Sequence, residues 1–98
     1  MDKEWIIITE YVERTSIERS FIASLEEYGL IRIHEMENEL FLDSDELPQL
    51  EKYARMYYDL SINMEGIDAI HHLVERINQL NKEIRTLKDR LTPDDLEF

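Results

Sequence analysis

A seven-residue repeat of apolar side chains runs through the C-terminal third of this 98-residue chain. Isoleucine holds three of the four a positions, and leucine holds every d position. These shapes favour a two-stranded coiled coil, because they fit the holes that a facing helix presents in a dimer. The alternative is a long helix packed on its own domain, but the preceding residues are too few to cover so long a stripe. The predicted dimer seam consists of Ile70, Leu73, Ile77, Leu80, Ile84, Leu87 and Leu91.

The charge of the chain is strongly negative and unevenly distributed. The net charge is −12, and residues 1–66 contribute −10 of it through 16 acidic and 6 basic side chains. The acidity therefore belongs to the part that precedes the apolar repeat. An acidic surface repels the phosphate backbone of nucleic acids and attracts basic protein surfaces.

Several classes of protein are disfavoured by residues that the chain lacks. It contains no cysteine, which excludes disulfides and thiolate metal sites and fits the cytoplasm. No apolar run approaches the ~20 residues of a membrane span, and the N-terminus does not resemble a secretory signal. His71 and His72 are neighbours on a helix and diverge by about 100°, so they do not bind one metal ion together. No nucleophile motif or phosphate-binding loop occurs, and we expect neither enzymatic activity nor a cofactor.

The N-terminal segments have the pattern of a helix-turn-helix. Residues 5–8 form a short β-branched run that predicts an extended segment or strand. A short helix follows, with Thr9 as its expected N-cap. Thr15 and Glu18 have the spacing of a capping box at the start of a second helix. Gly29 ends that helix, because glycine readily adopts the left-handed conformation needed there. The predicted inner face of the second helix is Ile17, Phe21, Ile22, Leu25 and Tyr28.

A predicted β-hairpin and a third helix follow. Residues 30–34 and 39–42 are the two strand candidates, and a hairpin after a helix-turn-helix forms a wing. Asp45 is the preferred N-cap of the third helix, because Pro48 then falls in the first turn, where its missing N–H costs nothing. Asn63 is the expected N-cap of the long helix. The predicted inner face of the third helix is Leu47, Leu50, Ala54 and Tyr57, with Tyr53 and Tyr58 as further aromatic surface.

These patterns predict a mainly α fold with three parts. Residues 1–60 form a winged helix-turn-helix domain that includes the third helix. Residues 61–92 form the long dimerisation helix, and residues 93–98 form a flexible tail.

Four segments together resemble a known family. They are Ile-Thr-Glu-Tyr at 8–11, Leu-Glu-Glu-Tyr-Gly-Leu-Ile at 25–31, Leu-Asp-Ser-Asp-Glu-Leu at 42–47, and Asp-Leu-Ser-Ile-Asn-Met-Glu-Gly-Ile at 59–67. Their order resembles the MerR-like winged helix-turn-helix superfamily, and the last segment resembles its chaperone-modulator branch, the CbpM type. The resemblance implies a MerR-like domain followed by an antiparallel coiled-coil dimer.

The chain departs from the DNA-reading members of that superfamily in the second helix. MerR-type regulators carry an arginine and two aromatic residues there, whereas the matching positions here are Ala23, Ser24 and Leu25. The second helix contains one base, Arg19, and the predicted wing contains more acids than bases. We therefore expect DNA binding to be absent or weak, and a MerR-like DNA-binding transcription regulator is the alternative function.

The resemblance implies a protein partner instead. Chaperone modulators of this type bind a J-domain co-chaperone (CbpA/DnaJ-like) and restrain its stimulation of Hsp70. J-domains present a basic helical face, which an acidic surface would attract. For each candidate contact, a solubilising role is an equally good explanation. The candidates are Glu26, Glu27, Asp45, Glu46 and Glu51.

Overall fold

The computed structural model describes residues 4–91, and the predicted tail at 93–98 lies outside them. The chain divides into two compact units between Asp68 and Ala69, while the predicted domain boundary after residue 60 stays a prediction. The mainly helical prediction is confirmed. The regular elements are β1 (Trp5–Ile7), α1 (Ile8–Arg14), α2 (Arg19–Glu27), β2 (His34–Met36), β3 (Glu39–Asp43), α3 (Leu47–Ala54) and α4 (Met64–Arg90).

The three strands form one antiparallel sheet in the order β1-β3-β2. A two-residue turn joins β2 to β3, and both Glu37 (φ 51°) and Asn38 (φ 64°) are left-handed there, as a type I′ hairpin turn requires. The predicted wing is therefore confirmed, but its first strand begins at His34 and not at residue 30. The preceding backbone N–H groups are used elsewhere, because those of Arg32 and Ile33 donate to carboxylates and that of Leu30 donates to the end of α2.

The start of α2 differs from the predicted capping box. Glu18 occupies the N-cap position, but its side chain makes no capping hydrogen bond to a backbone N–H of the helix. The hydroxyl of Thr15 instead donates to the carbonyl of Tyr11 at 2.9 Å and accepts from the N–H of Ile17 at 3.2 Å. Thr15 thus ends α1 and does not begin α2. Thr9 is not an N-cap either, because α1 begins one residue earlier, at Ile8.

The end of α2 matches the prediction. Gly29 has φ 73°, the N–H of Gly29 donates to the carbonyl of Glu26, and the N–H of Leu30 donates to the carbonyl of Leu25, both at 2.9 Å. This pair of bonds is a Schellman motif, which satisfies the last carbonyls of the helix. Leu30 is consequently directed into the core, where it is buried.

A 3₁₀ turn at Ser44–Glu46 precedes α3 and changes the predicted cap. Oδ1 of Asp43 accepts from the N–H of Asp45 at 3.0 Å, so Asp43, and not Asp45, caps this turn. Pro48 lies in the first turn of α3, as predicted. The predicted cap was wrong because the sequence does not reveal that a 3₁₀ turn separates the strand from the helix.

The C-terminal end of α3 passes into a π-helical segment, Arg55–Asp59. Each residue of an i→i+5 turn rotates the chain by less than a residue of an α-helix does. Tyr57 therefore falls short of the inner face and is 40% exposed, whereas Tyr53 is only 1% exposed. The prediction that Tyr57 packs in the core was wrong, and Tyr53 has that role.

The core lies where α1, α2, α3 and the first turn of α4 meet one face of the sheet. Asn63 caps α4 as predicted, because its Oδ1 accepts from the N–H of Gly66 at 2.8 Å. A Cβ atom on Gly66 would lie 2.7 Å from Cγ2 of Ile62, so the close approach at this cap requires glycine. The buried apolar residues are Ile8, Phe21, Ile22, Leu25, Leu30, Ile31, Leu42, Leu50, Tyr53, Ala54 and Ile67.

Candidate partner-binding surfaces

The apolar repeat lies on α4 as an exposed stripe. Ile70 is half-buried, and the other six side chains of the predicted seam are 40–62% exposed in the single chain. Isolated exposed leucines are common on protein surfaces, whereas a continuous apolar stripe is typical of interaction sites, so the stripe is a candidate binding surface. No helix within residues 4–91 has the length and apolar character needed to cross a membrane.

The exposed face of α2 offers little positive charge. Nη2 of Arg19, the only base of the helix, donates to the hydroxyl of Thr9 at 2.8 Å, and this hydroxyl lies 3.4 Å from Oε1 of Glu39. Ser20, Ala23 and Glu27 are exposed, so small and acidic side chains form the rest of this face. Such a face lacks the bases that neutralise phosphates at a DNA-reading helix.

The structure brings two of the five predicted contact residues together, in a role that the sequence did not suggest. Oε2 of Glu26 accepts from the N–H of Ile33 at 3.1 Å, and Oε1 of Glu46 accepts from the N–H of Arg32 at 3.0 Å. Two carboxylates from α2 and from the 3₁₀ turn thus hold consecutive amides of the segment that enters the wing. No local sequence signal marks such bonds, because they depend on how distant segments pack.

The other three predicted contact residues, Glu27, Asp45 and Glu51, have exposed side chains. Glu51 lies beside Tyr11 of α1, where burial and then the charge of Glu51 raise the pKa of the tyrosine. The charge of Glu27 contributes to a raised pKa of its neighbour Tyr28. The side chains of these three acids are exposed to a possible partner, whereas the carboxylates of Glu26 and Glu46 accept hydrogen bonds from backbone amides.

Tyr28 was predicted to face inward, but its side chain is exposed and reaches the beginning of α4. Its hydroxyl donates to Oε1 of Glu65 at 2.9 Å. This hydrogen bond is the largest cause of a raised pKa at Tyr28, with burial and the charges of Glu65 and Asp68 next. Tyr28 thus ties the end of the second helix to the first turn of α4.

The aromatic residues of the π-helical segment support α2. The hydroxyl of Tyr58 accepts from the N–H of Glu18 at 2.9 Å and so replaces the predicted capping box. The ring centroid of Phe21 lies 4.7 Å from that of Tyr57 and 5.3 Å from that of Tyr58.

The histidine pair of α4 has a local explanation. His71 is paired with Glu75 one helical turn later, and the rings of His71 and His72 lie edge to face at 5.4 Å. Within residues 4–91, no group of three or more histidine or acidic side chains is arranged to hold a metal ion.

Comparison with known proteins identifies the family. No curated protein and no solved structure matches the chain. The family described as "MerR HTH family regulatory protein" matches residues 6–89, which include α1, α2, α3, the strands β2 and β3, and nearly all of α4. The match covers most of the sequence and agrees with the helix-turn-helix and wing of the structure. The chain therefore belongs to the MerR helix-turn-helix family of regulatory proteins.

Proposed function

We propose that this protein is a non-enzymatic chaperone modulator of the CbpM type. It binds the J-domain of a co-chaperone and restrains the stimulation of Hsp70. The observation that carries this proposal is the acidic, base-poor winged helix-turn-helix domain, whose residues 1–66 have a net charge of −10. A surface of that sign suits a partner with a basic helical face and is unsuited to nucleic acid.

Two residues of α2 support a protein partner over DNA. Ala23 is exposed at the position where the DNA-reading relatives carry arginine. The guanidinium of Arg19 is held by Thr9. The helix that reads DNA in other members thus lacks a free base at the positions facing solvent.

The proposal is tested by titrating the purified protein against a J-domain co-chaperone from the same genome. We expect a complex at tens of micromolar or below and a lower J-stimulated ATPase rate of Hsp70. Charge reversal at Glu27, Asp45 or Glu51 to lysine should slow association and flatten its salt dependence. Exposed charges act mainly on the association rate and are screened beyond about 8–10 Å at physiological salt.

The matched control is Asp89→Lys, which replaces an acid by lysine in the same way at an exposed position of α4 outside the predicted contacts and outside the seam. It should have a smaller effect on association than the three test variants. Absence of a complex at tens of micromolar, or an ATPase rate that saturating protein leaves unchanged, would show that the chaperone proposal is wrong.

A MerR-like DNA-binding transcription regulator is the alternative function, and the family match is compatible with it. The winged helix-turn-helix is compatible with it, and the charge of residues 1–66 opposes it. Selection from a random duplex library therefore decides between the two functions.

We expect no specific DNA complex in that selection or in a mobility-shift assay. At about 150 mM salt, specific DNA readers typically reach Kd values of about 10⁻⁸ M or tighter. Residues 1–66 contain 6 basic against 16 acidic side chains, and so have few of the lysines and arginines whose binding to phosphates contributes to that affinity. Sequence-specific binding below about 1 μM at this salt concentration would make the regulator the better proposal.

A homodimer through the seam of α4 belongs to the same proposal. Its support is the unbroken Ile/Leu repeat together with the exposure of that stripe in the single chain. Burial of these side chains between two copies would remove a large apolar area from water.

A further inference from the structure

The sheet has two faces of different character. Directly opposed residues of antiparallel strands lie on the same face, so the pairs Ile7–Phe41 and His34–Phe41 define one of them. On the other face, Ile6 pairs with the buried Leu42 and packs on the core. We call the first one the outer face. Its apolar and aromatic residues are Trp5, Ile7, His34, Met36 and Phe41, and the same pairing places Glu39 and the buried Asp43 on it.

The centre of the outer face is apolar, and Ile7 and Phe41 are half-buried there without being part of the core cluster. Trp5 is 40% exposed and Met36 is 39% exposed. The ring of Trp5 lies edge to face with that of His34 at a centroid distance of 4.8 Å, so the two outer strands contribute to one surface. Tryptophan is enriched at binding hot spots, and methionine adapts to varied partner surfaces.

Acidic residues surround this apolar centre. Glu39 lies opposite Met36, Glu37 occupies the hairpin turn, and Glu4 precedes Trp5. A depression beside Trp5 and Ile7 is lined in part by residues of α1, among them Glu10 and one base, Arg14. An apolar centre with a mostly acidic rim is complementary to an amphipathic helix that carries basic residues beside its apolar stripe.

The charge of the rim selects this occupant over others. Nucleic acid and anionic lipid are both repelled by glutamates. A second copy of the chain would bring the same acidic rim against itself, and like charges placed opposite each other across an interface are costly. We propose that the outer face of the sheet is the docking surface for a basic amphipathic helix of the J-domain, and this inference rests on the proposed function.

The test uses the full-length protein and the J-domain of a co-chaperone from the same genome. Trp5 is the only tryptophan, so its indole N–H gives a single signal in a ¹⁵N NMR spectrum. That signal should shift on addition of the J-domain. Met36→Arg should weaken binding of the J-domain by about tenfold or more. The substitution removes an apolar contact and places a positive charge against the basic helix.

The control is Leu60→Arg, which makes the same chemical change at a residue that is 66% exposed and lies outside the sheet. The Kd of this variant for the J-domain should stay within about twofold of the wild-type value, since a charge distant from the interface contributes little to affinity. Circular dichroism should show that both variants retain the fold, because each replaces an exposed side chain.

The results separate this inference from the proposed function. A complex that forms with a fixed Trp5 signal, or that Met36→Arg and Leu60→Arg weaken equally, would overturn the docking surface and leave the chaperone proposal standing. A Trp5 signal that shifts with protein concentration alone would identify a second copy as the occupant and overturn the inference. Absence of any complex would overturn both.

Discussion

A double variant with Ile77→Lys and Ile84→Lys is expected to be monomeric at concentrations where the wild type is a dimer. Both residues hold a positions of the seam, and both are about half exposed in the single chain. In the dimer, the two substitutions would bury four lysines in one apolar interface, at a cost of several kcal/mol. Sedimentation equilibrium at tens of micromolar measures the mass directly.

The matched control is Asn78→Lys with Thr86→Lys, which adds the same charge at b and c positions outside the seam. This control should remain dimeric. A wild type that is monomeric at tens of micromolar would contradict the dimer, and an unchanged mass of the seam variant would place the contact elsewhere.

The orientation of the two helices is decided by charge pairs at the edges of the seam. In an antiparallel dimer, Arg76 and Glu83, both at g positions, pair mutually, whereas a parallel dimer pairs Glu83 with Lys88. We expect the antiparallel arrangement that the family resemblance implies. Spin labels at position 89 of the two copies would then lie about 30 Å apart, given a rise of 1.5 Å per residue. A much shorter distance would indicate a parallel dimer.

Glu26→Ala and Glu46→Ala are expected to destabilise the fold, unlike the same change at their neighbours. Each carboxylate accepts a hydrogen bond from a backbone N–H, of Ile33 and of Arg32 respectively. A hydrogen bond to a charged group contributes about 1.5–3 kcal/mol, and the half-buried Glu46 should approach the upper end of that range. Glu26 is more exposed, so water can partly replace its carboxylate.

The controls are Glu27→Ala and Asp45→Ala, one residue away in each case and exposed. They should change the free energy of unfolding by no more than about 0.5 kcal/mol. Urea denaturation of the four variants, at equal protein concentration, provides the comparison. Equal effects within each neighbouring pair would show that these two hydrogen bonds do not hold the segment.

The features that local sequence determined are those in which the interacting groups lie within a few residues of each other. Gly29 ends α2 because only its own neighbours form the Schellman motif. Asn63 caps α4 through an amide three residues away. The apolar stripe of α4 follows from the seven-residue period alone, since every residue of one helix face recurs at a fixed spacing.

Other features were decided by tertiary structure, because their partners lie far apart in the chain. The start of α2 is held by Tyr58, forty residues after Glu18. The pairing of β1 with β3 creates the outer face of the sheet, and no local pattern predicts that register. Glu26 and Glu46 looked like solvent-exposed charges because adjacent acids are indistinguishable in sequence; only packing shows which carboxylate meets a backbone amide and which meets water.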